Sequence, residues 1–291
     1  MKSFENKKRL RFVITLGTGK FGSSSNDRIT LEGYRSVVDV NKAGGMMMGE
    51  LRARIYGVSQ SDMNSVTTLQ WKPGTLIPNT VEVFAIEGDS QTLVFAGNIV
   101  NAWGDYQTLP DVFLHIQAQA AYFSQIATAR PFSIKGGVSA GVVMKRIADK
   151  MGLVFENNGV DVTLTDVYLT NSLTEQAKEL ARMANFDLYI DDKTLAITPR
   201  YQSRKGAIPV ISASSGLVGY PTFDGIGVTF QTLFNPAITF GGTVKLDTSL
   251  DNARGEWVVV SMALRLESEK PNGSWFATVR GNRNGLAVVG R

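Results

Sequence analysis

The sequence predicts a mainly β protein interrupted by one α/β block, and three observations predict it. Apolar and polar residues alternate with period two at 50–57 and again at 111–119, the pattern of strands with one dry face. The clearest helix signatures, meaning an N-capping residue followed by apolar residues at spacings of three and four, lie at 139–151 and 172–184. Strand-like segments flank that central block on both sides. The chain therefore reads as two β-rich blocks around a small helix-containing module.

Taken in order, 11–16 is an apolar strand, and 17–27 is a loop of Gly, Ser, Asn and Asp. Residues 28–40 read as one strand, with Ile29, Leu31 and Tyr34 as core candidates. At 50–57, Leu51, Ala53 and Ile55 alternate with Arg52, Arg54 and Tyr56. A short helix is expected at 61–68. Strands at 80–85 and 92–102 are separated by the turn Glu87-Gly88-Asp89-Ser90. At 111–119, Val112, Leu114, Ile116 and Ala118 face one way, and Phe113, His115, Gln117 and Gln119 the other. The first helix has Ser139 as N-cap, Val142, Val143, Ile147 and Met151 as its stripe, and Gly152 just past its end. The second opens on the capping box Ser172-Leu173-Thr174-Glu175, with Leu173, Ala177, Leu180 and Ala184 in one stripe. A hairpin at 186–190 and 194–198 turns at Asp191-Asp192-Lys193. Strands return at 208–211, 227–233, 242–246, 256–267 and 275–280, before a glycine-rich basic tail at 281–291.

Composition removes whole classes of chemistry. With no cysteine among 291 residues there are no disulfides, thiol nucleophiles, zinc–cysteine sites or iron–sulfur clusters. The single histidine, His115, leaves one candidate for serine–histidine catalysis and none for a multi-histidine metal site. A net charge of +4 is too weak to argue for nucleic acid. No apolar stretch approaches the ~20 residues of a membrane helix, nor a signal-peptide core. The expectation is a soluble protein of a reducing compartment, or one exported by a route that needs no disulfides.

Each tempting motif has a plainer account. Gly17-Thr18-Gly19-Lys20-Phe21-Gly22 fits G-x-G-x-x-G, but a dinucleotide site needs a helix to start there and a strand follows. His115 sits on a polar strand face. Asp187, Asp191 and Asp192 resemble a carboxylate cluster, yet aspartate is favoured in tight turns. Asp247, Asp251 and Asn252 lack the spacing and closing glutamate of a calcium loop. The basic groups Lys7, Lys8, Arg9 and Arg11; Arg200, Arg204 and Lys205; and Arg280, Arg283 and Arg291 have no interleaved aromatic residues and suit charged edges and termini. Met46-Met47-Met48, between glycines, suits either a core or an adhesive interface.

With no catalytic constellation, the arrangement itself carries the functional reading. The segments MGELRARIYGVS at 48–59 and MNSVTTL at 63–69, followed by VEVFA at 81–85, LVFAGNIV at 93–100 and the strand at 111–120, resemble the baseplate hub proteins of phage tails. In the centre, IADKMGL at 147–153, NSLTEQ at 171–176, LARMA at 180–184, LYIDD at 188–192 and LAITP at 195–199 are similar to the α/β module of hubs and of related contractile injection machines. GVTFQTLFNP at 227–236 and FGGTVKL at 240–246 resemble the second barrel of that family.

The resemblance implies two tail-tube-like β-barrels with an α/β insertion. It divides the chain into a first barrel at 1–108, a second at 109–130 plus 201–291, and the insertion at 131–200. It implies a structural virion component of the tail baseplate, present in the host cytoplasm during assembly. In this role a homotrimer adapts a hexameric tail tube to a trimeric central spike. The implied partners are the tail tube or tail-tube initiator protein, a separate central spike protein, the tape-measure protein and other baseplate proteins. DNA would be only passing cargo, with no membrane embedding and no catalytic, cofactor or metal residues. The alternatives are a tail-associated cell-wall hydrolase or a tail spike-related protein, and a barrel-type nucleic-acid binder.

Overall fold

The computed structural model describes residues 8–22, 25–43, 47–67, 78–107, 109–225 and 227–283. The chain forms two compact units: Met1–Asn41, Gly49–Tyr122 and Ala263–Phe276 in the first, and Lys42–Met48, Phe123–Met262 and Ala277–Arg291 in the second.

The first unit contains β1 (Lys8–Thr15), β2 (Arg28–Glu32), β3 (Ser36–Lys42) apart from its last residue, β4 (Glu50–Tyr56), α1 (Gln60–Val66), β5 (Thr80–Glu87), β6 (Ser90–Asp105) and β7 (Phe113–Gln119). Its strands run β3-β4-β7-β6-β5-β1-β2, and the described pairings are antiparallel. The alternation seen at 50–57 and 111–119 is the reason. Leu51, Ala53, Ile55, Leu114, Ile116 and Ala118 turn inward onto Phe12, Ile14, Val83 and Phe95, all buried. A register shift between Ile99 and Asn101 bulges β6 and turns Val100 outward, which bends this sixteen-residue strand.

Two expectations need correction here, and a third is met. Residues 28–40 are not one strand: Gly33, at φ +79°, turns the chain between β2 and β3 and leaves Tyr34 only half-buried. Residues 113–119, assigned to the second barrel, pair with β4 and β6 in the first unit because their dry face completes that core. The helix expected at 61–68 is α1, with Ser59 as N-cap, its side chain accepting from Asp62 N.

The second unit holds α2 (Tyr122–Ile126), apart from its first residue, then β8 (Phe132–Ser139), α3 (Ala140–Met151), β9 (Val154–Asn157), β10 (Thr163–Leu169), α4 (Leu173–Ala184), β11 (Phe186–Asp191) and β12 (Thr194–Pro199). Strands β13 (Val210–Ser212), β14 (Leu217–Phe223), β15 (Gly227–Leu233) and β16 (Thr243–Asp247) follow. The last two, β17 (Gly255–Ser268) and β18 (Trp275–Asn282), give residues 255–262 and 277–282 to this unit and 263–276 to the first. In the first unit, β17 supplies the neighbour of β3. Leu10 N there donates to Ser268 Oγ at 3.1 Å, and Trp275 Nε1 to Glu87 at 2.6 Å, so the strand series returns on itself.

In the second unit the sheet runs β14-β15-β18-β17-β16-β13. Beside it, β8 and β10 make a two-stranded ribbon, and β11-β12-β9 a three-stranded sheet in which β9 is parallel to β12. Tyr189 of β11 meets Phe240 edge-on, at 5.4 Å and 85°, in a buried cluster with Ala196 and Val260. The mainly β architecture with an α/β module is therefore as the sequence predicts, although β8, β9, β10, β14 and α2 were not foreseen.

Both central helices keep their expected termini with differences in detail. Gly152 and Asn185 close α3 and α4 in the left-handed conformation. Ser139 sits at the N-cap of α3 without a side-chain cap bond, and Val142 lies exposed while Met144 takes the buried position. Ser172 caps α4 by accepting from Glu175 N at 3.3 Å, but the Glu175 carboxylate turns to Lys178 at 3.0 Å, so only half of the box forms. We expect Ser172→Ala to cost about 0.5–2 kcal/mol. Hydrogen exchange should quicken at 172–184 and stay unchanged in β4; equal protection at 172–184 in both proteins would refute the cap.

Candidate assembly surfaces

The side chains singled out by sequence are spent mostly on packing. The loop after β1 joins strand to strand: Leu16 N donates to Asp27 O, Phe21 N to Asn26 O, and Phe21 is buried. Among the described residues of this loop no helix begins, so they lack the aligned N–H groups that a pyrophosphate needs. Asp247, Asp251 and Asn252 do not converge, and among the described residues no group of three His, Asp or Glu side chains could hold a metal ion.

Asp187 is buried and accepts from Tyr201 N at 3.0 Å, with Arg200 at 3.5 Å; burial, outweighing those contacts, pushes its carboxyl up. Asp191 and Asp192 do more than turn a hairpin, and Arg204 is not an edge charge. Lys42 Nζ lies 2.6 Å from Asp191 Oδ1 and 2.6 Å from Asp192 Oδ2. Arg204 reaches Asp191 at 2.9 Å, and Glu156 through Nε at 3.1 Å and Nη2 at 2.7 Å. Its Nη1 also donates to Phe240 O at 2.9 Å. Asn158 extends the knot, donating to Glu156 and Ile197 O and accepting from Lys205 N. This places two cations and three carboxylates of the second unit in one buried network.

Burial opposes the charge on Lys42, but Asp192 and Asp191 outweigh it and raise its pKa. Burial likewise opposes Asp191, and Lys42 and Arg204 reverse the effect, holding the carboxyl low. Hydrogen bonds from Arg204 are the main reason Glu156 is also held low. A carboxylate lowered by folding stabilises the native state fully above its ordinary value, 4.5 for Glu and 3.8 for Asp, and loses that contribution as pH falls through the lowered one. The second unit should therefore lose stability on acidification below the ordinary carboxylate range. Glu156→Gln should flatten that dependence in urea unfolding monitored at several acid pH values; an unchanged slope would mean the network does not control it.

The remaining basic residues are engaged on the outside. Arg9 and Arg11 pair with Glu32, Lys8 lies over Trp275, Arg280 pairs with Asp224, and Arg283 lies over Trp257. Lys7, Arg291 and Met46 lie outside the described residues. Met48 is buried and Met47 is 66% exposed, so the methionine segment divides between core and surface.

His115 proves to be part of a strip that sequence reasoning missed. It stacks on Trp103 with ring centroids 4.4 Å apart and planes 8° apart, and Phe113 and Tyr56 continue the row to Arg35, which lies 4.5 Å from the Tyr56 ring. Burial first, then Arg54, lowers its pKa. Asp105, in the neighbouring row, acts on His115 in the opposite sense to Arg54, and the strip forms a surface of rings and charges. On the second unit, Val218, Tyr220 and Phe223 of the edge strand β14 are exposed, with Pro221 and a register shift between Val218 and Thr222 interrupting that edge.

The two strand-rich units with an α/β module form a fold shared with solved tail proteins. Solved structures of this fold include the 43 kDa tail protein of prophage MuSo2 from Shewanella oneidensis (TM-score 0.63, 10% identity, covering 94% of this chain and 97% of that chain). A tail protein from Neisseria meningitidis MC58 gives a TM-score of 0.63 at 7% identity, covering 94% and 96%. The E. coli c3393 protein, described as a type VI secretion component structurally similar to T4 tail proteins gp27 and gp5, gives 0.60 at 7% identity over 87% and 75%. No curated protein matches the sequence. The family model described as baseplate hub gp41 matches residues 61–279, and the chain belongs to that family. It is a structural component of the tail baseplate, located in the virion tail.

Proposed function

We propose that three copies of this chain form the hub that joins a hexameric tail tube to a trimeric central spike. The match to the baseplate hub family over 61–279 carries the proposal. The two strand-rich units support it, because three chains then supply six such units to meet a sixfold tube. In this reading the spike is a separate chain, the tape-measure protein and other baseplate proteins are neighbours, and DNA passes as cargo. The chain waits in the host cytoplasm until the tail assembles and performs no turnover.

Light scattering should give three times the chain mass of 31.6 kDa, alone or on adding tube and spike proteins. A dimer or hexamer that those proteins do not change would refute the trimer. A peptidoglycan zymogram should stay blank; a cleared band would restore the hydrolase alternative.

A further inference from the structure

We propose that the outer face of β4, β7 and β6 docks an extended, carboxylate-bearing segment of a partner protein. This rests on the hub reading and names the chemistry of one of its contacts. The register sets three rows across the strands: Arg52 beside Gln117 beside Asn101, Arg54 beside His115 beside Trp103, and Tyr56 beside Phe113 beside Asp105.

The strip offers donors in want of acceptors. Arg11, Arg204, Arg265 and Arg280 each hold a carboxylate. Among the described residues Arg52 and Arg54 hold none, and the Trp103 indole N–H has no acceptor. Of the acids on this face, Asp39 opposite Arg52 is held by Arg265, Asp105 accepts from Gln107 N, and Asp111 faces Arg35, while Glu50, two residues before Arg52, is exposed and pairs with neither arginine. Arginine and aromatic side chains without a lysine are also the composition of interface centres. Residues two apart on a strand lie about 6.5–7 Å apart on one face. Arg52 and Arg54 thus match carboxylates two apart on an extended partner, whose intervening apolar groups would cover Phe113 and Trp103.

Nucleic acid fits less well. A duplex hides its apolar base faces and would leave the aromatic row uncovered. A single strand needs ring faces to stack upon, yet His115 lies flat on Trp103 and Arg35 covers Tyr56.

The test is binding of the full chain to poly-L-glutamate, with a duplex and a single-stranded oligonucleotide of similar charge as rivals, followed by anisotropy. Poly-L-glutamate should bind more tightly than either, and Arg52→Glu with Arg54→Glu should weaken it about tenfold or more, as loss of two steering charges does. The milder Arg52→Gln with Arg54→Gln, checked for an unchanged melting temperature, should show a smaller loss in the same direction. Preference for either oligonucleotide, or equal poly-L-glutamate binding by the variants, overturns the proposal. Incorporation into tails separates the two readings: a variant that assembles normally while the binding test fails sinks this surface alone, whereas wild-type protein that never enters tails sinks the hub reading.

Discussion

Arg204→Ala should lower the stability of the second unit by about 3 kcal/mol, the lower end for removing one partner from a buried ion pair because Glu156 remains a third exposed. Glu156 would lose both guanidinium contacts and Asp191 one of its two cations, while the Phe240 carbonyl would lose its donor. For a unit of this size that corresponds to a fall in melting temperature of about 6–12 °C. Arg204→Lys should recover less than half, since one ammonium cannot hold Glu156 through two nitrogens and reach Asp191 as well. Arg11→Ala, on a partly exposed pair with Glu32, should cost about 1 kcal/mol or less. If calorimetry finds the two alanine variants alike, the buried network does not stabilise the unit as its geometry implies.

Trp275→Ala should be at least as damaging to the first unit, at about 3–5 kcal/mol. Trp275 is 2% exposed and ties the end of the chain to β5 through Glu87. Trp275→Phe should cost less, because most of the packing stays while the carboxylate loses its indole donor. Denaturant unfolding gives the sizes, and hydrogen exchange should quicken first in β1 and β5. Unchanged exchange in those strands would show that the indole does not hold the strand series together.

What the sequence reveals and conceals follows from the range of each interaction. Strands β4 and β7 are legible because one face is dry, so Leu51, Ala53, Ile55, Leu114 and Ile116 repeat with period two. Helix α4 is legible because its start, stripe and end are local. Strand β14 is not, since Gly219 and Pro221 interrupt it and most of its side chains face outward. The β8–β10 ribbon hides for a similar reason: Gly136 and Asp166 both take positive φ, and Gly136 N bonds to Asp166 Oδ1 at 2.7 Å around the bulge. The ion network is the deepest omission. Lys42 and Asp191 are 149 residues apart, and Arg204 and Glu156 are 48 apart, so no local pattern distinguishes Arg204 from an ordinary surface charge. On the outer strip the outward direction of Arg52 and Arg54 is visible in the alternation, but their lack of a carboxylate is visible only in three dimensions.

The return of residues 263–276 to the first unit sets a timetable for synthesis. The ribosome completes Tyr122 and then makes 140 further residues before Ala263, where β17, the neighbour of β3, enters the first unit. At about 5–20 residues per second this takes roughly 7–28 seconds. Through that interval the nascent first unit has an unpaired edge at β3 and an empty place where Trp275 will pack. A chain cut short by premature termination keeps both defects. Such a chain would be more open to proteolysis than one that has added β17 and β18, so closure of the first unit waits on strands made long after its other parts.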